Sequence, residues 1–577
     1  MSGRVFFLRL SAIIATGLMT AGLFPPYNFS WLAWICVLPM LIALWSIKGS
    51  HRAKKGFLIG FLAGALGFSI QLSWIGVVSW LGAILLPLYL GFFWGIFGAF
   101  AASAGNPWQR KNGILETPLH SLITAFTHAT IWAGLEWFRG WFLTGFGWNG
   151  LGVAFHDSLA ISQAADLLGV TGLSLMLVFF QAILLQVGHR ALQTRFDGKR
   201  RPQWDFILTA LGIGILAAYG LIRISLEKNR ESIPLKSLLV QINIPQDAGS
   251  VLWSMEKIHM AYEDETLEAL KSLEQDKTPD WVLWPETALN GRIIRADDGA
   301  WGAWWQNTET INRVRDGGRF DLIYGVVEIE GEGKGGELFQ KENPRIYNSI
   351  AVQTADDELE TFRKRHLVIF GETIPFVDSI PFLKQIYEQQ AGAKYTGSFT
   401  AGPSLDPLPI MLKGIELQII PSVCFEDTVP RLTRKFVRNA PQVIVNLTND
   451  GWFKESAGAA QHFANARFRA IELRRPMLRC ANTGVSAAIN TIGSTDHPQS
   501  GKSQIIADSK GSTFVRGSLL TDLEIPLRPG FSLYVLIGDW GIIGLFLVGI
   551  AAAIIFRTNQ KSIPADAGPS PSQNKIP

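Results

Sequence analysis

The 577-residue sequence has only three cysteines, Cys36, Cys424 and Cys480, and Cys36 lies inside an apolar run. So sparse a set excludes a disulfide framework as the source of stability, although count alone permits a Cys424–Cys480 pair. Charge is scarce too: 17% of residues are Asp, Glu, Lys or Arg, and the formal net charge is +4. Lys and Arg gather in short breaks rather than along one face, so nucleic acid is not expected as a partner. The chain also lacks a Gly-rich phosphate-binding loop and any paired metal-ligand spacing, so no cofactor and no metal are expected. His366 and His462 are accordingly read as structural. No internal repeat is visible.

Apolar residues are abundant at 48%, a composition that leans toward membrane. Seven stretches near spanning length occupy about 7–23, 29–47, 56–77, 82–103, 119–137, 166–187 and 205–224, and an eighth runs from Leu533 to Phe556. Positive charge alternates between the breaks. Arg4 and Arg9 open the first span; Lys48, Arg52, Lys54 and Lys55 follow the second; Arg110 and Lys111 follow the fourth; Arg190, Arg195, Lys199, Arg200 and Arg201 follow the sixth. Basic short loops stay cytoplasmic. Seven crossings from a cytoplasmic N-terminus therefore put the region 225–532 on the far side, and the eighth returns the tail. The first stretch is read as a span rather than a signal peptide, because no clear small-x-small cleavage site precedes a soluble segment.

Between 235 and 525 the texture changes to β-rich runs alternating with helical ones, an α/β pattern. Expected strands are LKSLLVQINI, DWVLWPE, FDLIYGVVEI, NSIAVQT, ELQIIPSVCF, PQVIVNLTN and SAAINTI. Helices are expected over Trp253 to Leu273, Trp301 to Arg315 and Ala459 to Leu473. The organisation is then a transmembrane domain over 1–228, a catalytic domain over 229–530, the last helix over 531–557 and a disordered tail over 558–577, rich in Pro, Ser, Asn and Gln.

Reactive side chains cluster where apolar runs end: Glu286 in DWVLWPET, Lys364 and Glu372 in TFRKRHLVIFGE, and Cys424 in ELQIIPSVCFED. A thiol, a carboxylate and an ammonium supply a nucleophile, a base and a cation for a developing oxyanion. Each also has an ordinary reading, as core filler, helix cap or solvated charge run. Cys480 is placed in a strand core. Glu136 and Arg139 are expected to form a structural ion pair at a span end.

These segments resemble the carbon-nitrogen hydrolase, or nitrilase, superfamily, whose Glu-Lys-Cys triad occurs in this chain order. The resemblance extends over nearly the whole chain to the apolipoprotein N-acyltransferase family. It rests on EWFRGWFLTGFGWNGLG, QINIPQ, WPETAL, YNS, RKRHLVIFGETIPF, CFED, NLTNDGWF, QHFANARFRAIELRRPMLRCANTGVSA and GDW. It implies a multi-pass α-helical membrane domain of about eight spans plus a nitrilase-like αββα sandwich. Glu286 would be the general base, Lys364 the oxyanion-stabilising cation and Cys424 the nucleophile, with Glu372 and Glu426 in support. Trp253, Phe425 and Trp148 would contact substrate. Ile369 stands where the family usually has Pro, and Phe425 where Tyr commonly follows the nucleophile. The implied reaction moves an acyl chain from a phospholipid donor, through a cysteine thioester, to the amine of a diacylglyceryl apolipoprotein in the bacterial inner membrane, with the catalytic domain facing the periplasm. The competing readings are a membrane-tethered amidase with water as acceptor, and a transporter or receptor carrying a catalytically dead module.

Overall fold

The structure is a computed structural model describing residues 3–109, 117–198, 201–247, 250–274, 278–334, 337–369, 371–374, 382, 384–385 and 398–561. The basic break at Arg110 and Lys111 and most of the C-terminal tail lie outside these residues.

Five helices among the described residues are long and apolar enough to cross a membrane: Gly3–Ala21, Arg52–Gln71, Trp80–Ala102, Val170–Phe196 and Trp204–Lys228. The other expected spans take different forms. Residues 29–47 break into a 3-10 turn, Ser30–Trp34, and a short helix, Leu38–Trp45, with a proline in its first turn. Pro118–Arg139 is a continuous helix of 22 residues, dotted with His, Ser and Thr. The last, Trp540–Lys561, is apolar as far as Ile555. The span expected over 166–187 begins late, because Gly169, at φ +71°, separates the short helix Ala165–Leu168 from Val170–Asp197.

Two large β-sheets follow, besides a two-stranded ribbon of Gln246–Asp247 and Ser250–Val251. The larger has eight strands; its main path runs Gly517–Pro526, Ser232–Gln241, Trp281–Ala296, Asp321–Lys334, Ile346–Gln353 and Leu359–Arg363. The smaller has five: Leu408–Leu412, Ile415–Val423, Gln442–Thr448, Met477–Ala481 and Ala487–Ile489. Leu239, Leu283, Ile323 and Ile350 of the first meet Ile419, Val443, Val445 and Leu478 of the second in one buried core. Helices Met255–Ser272 and Trp305–Arg315 cover the outer face of the larger sheet. Helix Ala457–Leu473 covers the smaller one, giving the αββα order. The helix expected from Trp301 starts only at Trp305, because 301–303 pair as a strand with Ile293 to Arg295.

Helix Ala457–Leu473 has apolar residues on two sides. Phe463, Ala466, Ala470 and Leu473 join the core built on the smaller sheet, while Ala464, Phe468 and Ile471 join the core of the membrane helices. The helix is buried between the two halves of the molecule, its polar side chains Gln461, His462, Asn465, Arg469 and Glu472 included.

Candidate active site

The strand Ile415–Val423 ends at Cys424, whose φ of +51° lies in the left-handed region that side chains rarely adopt. That backbone turn begins the 3-10 segment Cys424–Thr428 and lifts the thiol off the sheet end, leaving Cys424 half-buried like Phe425 while Val423 and Glu426 are buried. Glu426 holds the turn. Its Oε2 accepts from the Val423 amide at 2.8 Å, and its Oε1 accepts from the amides of Arg365 and His366, each at 2.8 Å. One carboxylate thereby pins the segment after Lys364 against the nucleophile's strand.

Glu286 does not end its strand, as expected, but lies within Trp281–Ala296, where the register slips between Trp284 and Leu289. Such an irregularity re-aims side chains out of the sheet's alternation. Lys364 follows directly on Leu359–Arg363 and is 1% exposed. Its Nζ lies 2.8 Å from Glu372 Oε2 and 3.5 Å from Glu286 Oε1. These are ion pairs without well-aligned hydrogen bonds, so the ammonium keeps N–H to offer elsewhere. Asn348, which the sequence reading passed over within YNS, joins the two acids: its Nδ2 donates to Glu286 Oε1 at 2.7 Å and to Glu372 Oε1 at 2.8 Å. Its carbonyl also accepts from the Lys364 amide at 2.8 Å.

The charges are matched to this enclosure. Burial pushes the Glu286 carboxyl up, against the pull of Lys364 and of hydrogen bonds from Asn348 and the Cys424 thiol. Burial pushes Glu426 to about 7 and, with the Glu286 charge, raises the Cys424 thiol. Burial alone would lower Lys364, but Glu372 and Glu286 outweigh it and hold the ammonium charged. A thiol raised in this way needs a base at hand, and Glu286 is within hydrogen-bonding reach.

Behind Phe425 stand parallel rings. Trp148 stacks on it at 6.0 Å and 6°, Phe146 at 5.9 Å and 20°, and His366 at 5.9 Å and 19°. Trp148 is 1% exposed with its Nε1 donating to Gln461, so it backs Phe425 and presents no open face of its own. Trp253 packs on the outer core of the larger sheet with the Lys257 ammonium 4.1 Å above its ring. Cys480 is buried in its strand, as expected, directed at the Val240 and Leu283 carbonyls. The expected Glu136–Arg139 pair is replaced by separate duties: Glu136 accepts from the Leu151 amide and the Ser174 hydroxyl, and Arg139 donates to the Phe146 and Trp148 carbonyls. A span-end loop needs its backbone groups satisfied, and these two side chains do it.

A family model described as the apolipoprotein N-acyltransferase N-terminal domain matches residues 16–183, and one described as carbon-nitrogen hydrolase matches residues 240–520. A Bradyrhizobium diazoefficiens protein named apolipoprotein N-acyltransferase is 32% identical over 514 residues, covering 84% of this chain and 86% of its own length. The chain belongs to the apolipoprotein N-acyltransferase family. A Geobacter metallireducens relative of the same name is 27% identical over 567 residues, 95% of each chain. As a member of the apolipoprotein N-acyltransferase family the chain is an acyltransferase with a carbon-nitrogen hydrolase domain. A solved nitrilase-superfamily amidase from Nesterenkonia AN1 overlaps 54% of this chain and 96% of its own at 13% identity and a TM-score of 0.31.

Proposed function

We propose that Cys424 is the nucleophile, Glu286 its general base and Lys364 the oxyanion-stabilising cation of a two-step acyl relay. Glu286 takes the thiol proton, and the thiolate attacks the ester carbonyl of a phospholipid acyl chain. Lys364 and a backbone N–H near Cys424 receive the oxyanion. Glu286 returns the proton to the glycerol oxygen, which leaves as lysophospholipid, and the acyl group stays on sulfur as a thioester. The α-amine of a diacylglyceryl cysteine at a lipoprotein N-terminus then attacks the thioester carbonyl, Glu286 takes the amine proton, the C–S bond breaks and the proton returns to the Cys424 sulfur, and the product is an amide. Glu372 orients Lys364, and Glu426 holds the nucleophile's turn. Phe425, backed by Trp148, flanks the acyl chain, and Trp253 is a further substrate contact that the family resemblance implies.

The observation that carries this reading is the Asn348 amide shared by Glu286 and Glu372 around the Lys364 ammonium, facing the strained Cys424. The fused architecture favours lipid substrates, and with them a lipid-borne amine over water as acceptor: the stack behind Phe425 is built partly from Phe146 and Trp148 of the membrane half. An amine competes with water only if positioned, where effective molarity reaches on the order of 10⁵ M. We place the chain in the bacterial inner membrane with eight spans and the sheets on the periplasmic side, on the alternation of basic breaks.

The test is incubation of the purified protein with phospholipid carrying a labelled acyl chain, followed by mass spectrometry of the Cys424 peptide. A thioester on Cys424 that a free-amine lipopeptide discharges supports the transferase. Discharge by water at the same rate marks a hydrolase, and an unlabelled Cys424 with label elsewhere overturns the assignment.

A further inference from the structure

Behind the nucleophile lies a buried charge cluster that the triad does not use. His462 donates from Nδ1 to Asp450 Oδ1 and from Nε2 to Asp427 Oδ1, both at 2.8 Å. Arg479 reaches Asp450 Oδ2 at 3.2 Å and Asp427 Oδ2 at 3.4 Å. All four side chains are fully buried. Two cations and two anions make the cluster neutral as a whole, the condition under which buried charges persist. Burial pushes both Asp450 and His462 toward neutrality, but their partners win. Arg479 and His462 hold Asp450 below the usual carboxylate range, and Asp427 and Asp450 hold His462 up at about 9.

One neutral side chain connects this cluster to the sulfur. Thr448 ends the strand Gln442–Thr448, one residue beyond the pairing of Leu447 with Val423, and so sits beside Cys424 across the sheet. The same strand steadies the nucleophile's backbone, since Asn446 Nδ2 donates to the Cys424 carbonyl at 3.1 Å. Thr448 is fully buried, and its hydroxyl donates to Asp450 Oδ1 over 3.3 Å, a long and weak bond. Burial pushes the Cys424 thiol up, and from that position the Thr448 hydroxyl lowers it. A hydroxyl has one hydrogen and two acceptor sites, so it serves the carboxylate or the sulfur, not both at once.

We propose that Thr448 is a further catalytic residue, whose hydroxyl donates to Asp450 while Cys424 is a thiol and turns to donate to sulfur when the thiolate forms. The proposal rests on Cys424 being the nucleophile. The S–H proton passes to Glu286, and the sulfur keeps the electron pair. The Thr448 O–H bond stays intact and only rotates about Cβ–Oγ1. Asp450 does not go unpaired, because His462 and Arg479 still donate to it. When the sulfur becomes a neutral thioester the hydroxyl swings back. Asp450, His462 and Arg479 are positioning residues that keep the acceptor fixed and charged.

The charged groups facing the sulfur are Glu286, Lys364, Asp450 and Arg479; changing Thr448 removes none of these charges, and Asp450 keeps its donors from His462 and Arg479. Iodoacetamide alkylation of the full-length protein in detergent, followed at the Cys424 peptide from pH 6 to 10, reads the thiolate directly. Thr448→Val and Thr448→Ala remove the hydroxyl with and without the branched shape. A hydrogen bond to a charged group is worth enough to raise the alkylation midpoint by about one pH unit, so alkylation below it slows about tenfold. Thr448→Ser should follow the wild-type profile, and thioester formation from labelled phospholipid should rank the variants in the same order. Wild-type profiles for both Val and Ala overturn the proposal. So does a Ser variant as slow as Val when unfolding midpoints match. Wild-type acyl label on a cysteine other than Cys424 instead overturns the nucleophile, and this proposal with it.

Discussion

Asn348 restrains both acids of the site through one amide nitrogen, and its own backbone is tied to Lys364. Asn348→Ala removes two charge-assisted bonds and frees Glu286 to rise further, since Asn348 is one of the influences lowering it. Acylation should slow by roughly 10- to 100-fold, and the loss should grow toward low pH. The sign follows from the base needing to be unprotonated. The wild-type acid limb should lie above the ordinary carboxylate range, and the variant's above that, as read by thioester formation against pH. His462 sets the opposite limb. Its folded value of about 9 exceeds the ordinary 6.5, so the stability it contributes is full below 6.5 and is lost as pH rises through about 9. The thermal midpoint should fall across that window, and His462→Gln should flatten the slope.

At the scale of elements, two helices approach so closely that only glycine fits between them. A Cβ on Gly60 of Arg52–Gln71 would run into the Trp94 carbonyl oxygen of Trp80–Ala102, and one on Gly56 into that of Gly98. Small residues allow such contact between membrane helices, where van der Waals packing drives association. Gly60→Ala should therefore lower the unfolding midpoint in detergent clearly. Gly188, inside Val170–Asp197, has open space around its missing Cβ. Gly188→Ala should be neutral or stabilising by up to about 1 kcal/mol. The buried helix Ala457–Leu473 is the other critical element. Gln461 Oε1 accepts from Trp74 Nε1, Trp148 Nε1 and Asn149 Nδ2, and its Nε2 donates to the Pro25 and Gln71 carbonyls. Gln461→Leu would strand buried donors at about 1–3 kcal/mol each, and should expose the loop around Trp148 to proteolysis and shift its fluorescence.

At the scale of the whole molecule, the sheets and the membrane helices are one packed body. Asp166 accepts from Arg474 at 2.6 Å and from Tyr219 at 2.9 Å, and pairs with Arg223, so the buried helix's end is clamped to Trp204–Lys228. Such rigidity suits the proposed relay, in which one site holds two lipid substrates in turn. The proposed orientation is testable with an impermeant thiol reagent on spheroplasts. Cysteines introduced at exposed Ser509 and Lys54 should label from outside and only after lysis, respectively; the reverse pattern would sink the orientation.

Much of this was legible without coordinates. Long apolar runs, period-two strands and the motifs around Glu286, Lys364 and Cys424 depend on local order along the chain, which sequence records directly. The αββα sandwich followed from resemblance and is present. Hydropathy reads composition rather than backbone, so it passed over the 3-10 break at Ser30–Trp34 and the glycine break at Gly169. Only tertiary structure brought Asn348 between two acids from other segments, set Thr448 beside Cys424, and closed His462, Asp427, Asp450 and Arg479 into a neutral cluster. Their meaning lies in distances across strands far apart in sequence, and the helix Ala457–Leu473 became the seam of the molecule because both of its flanks found apolar partners.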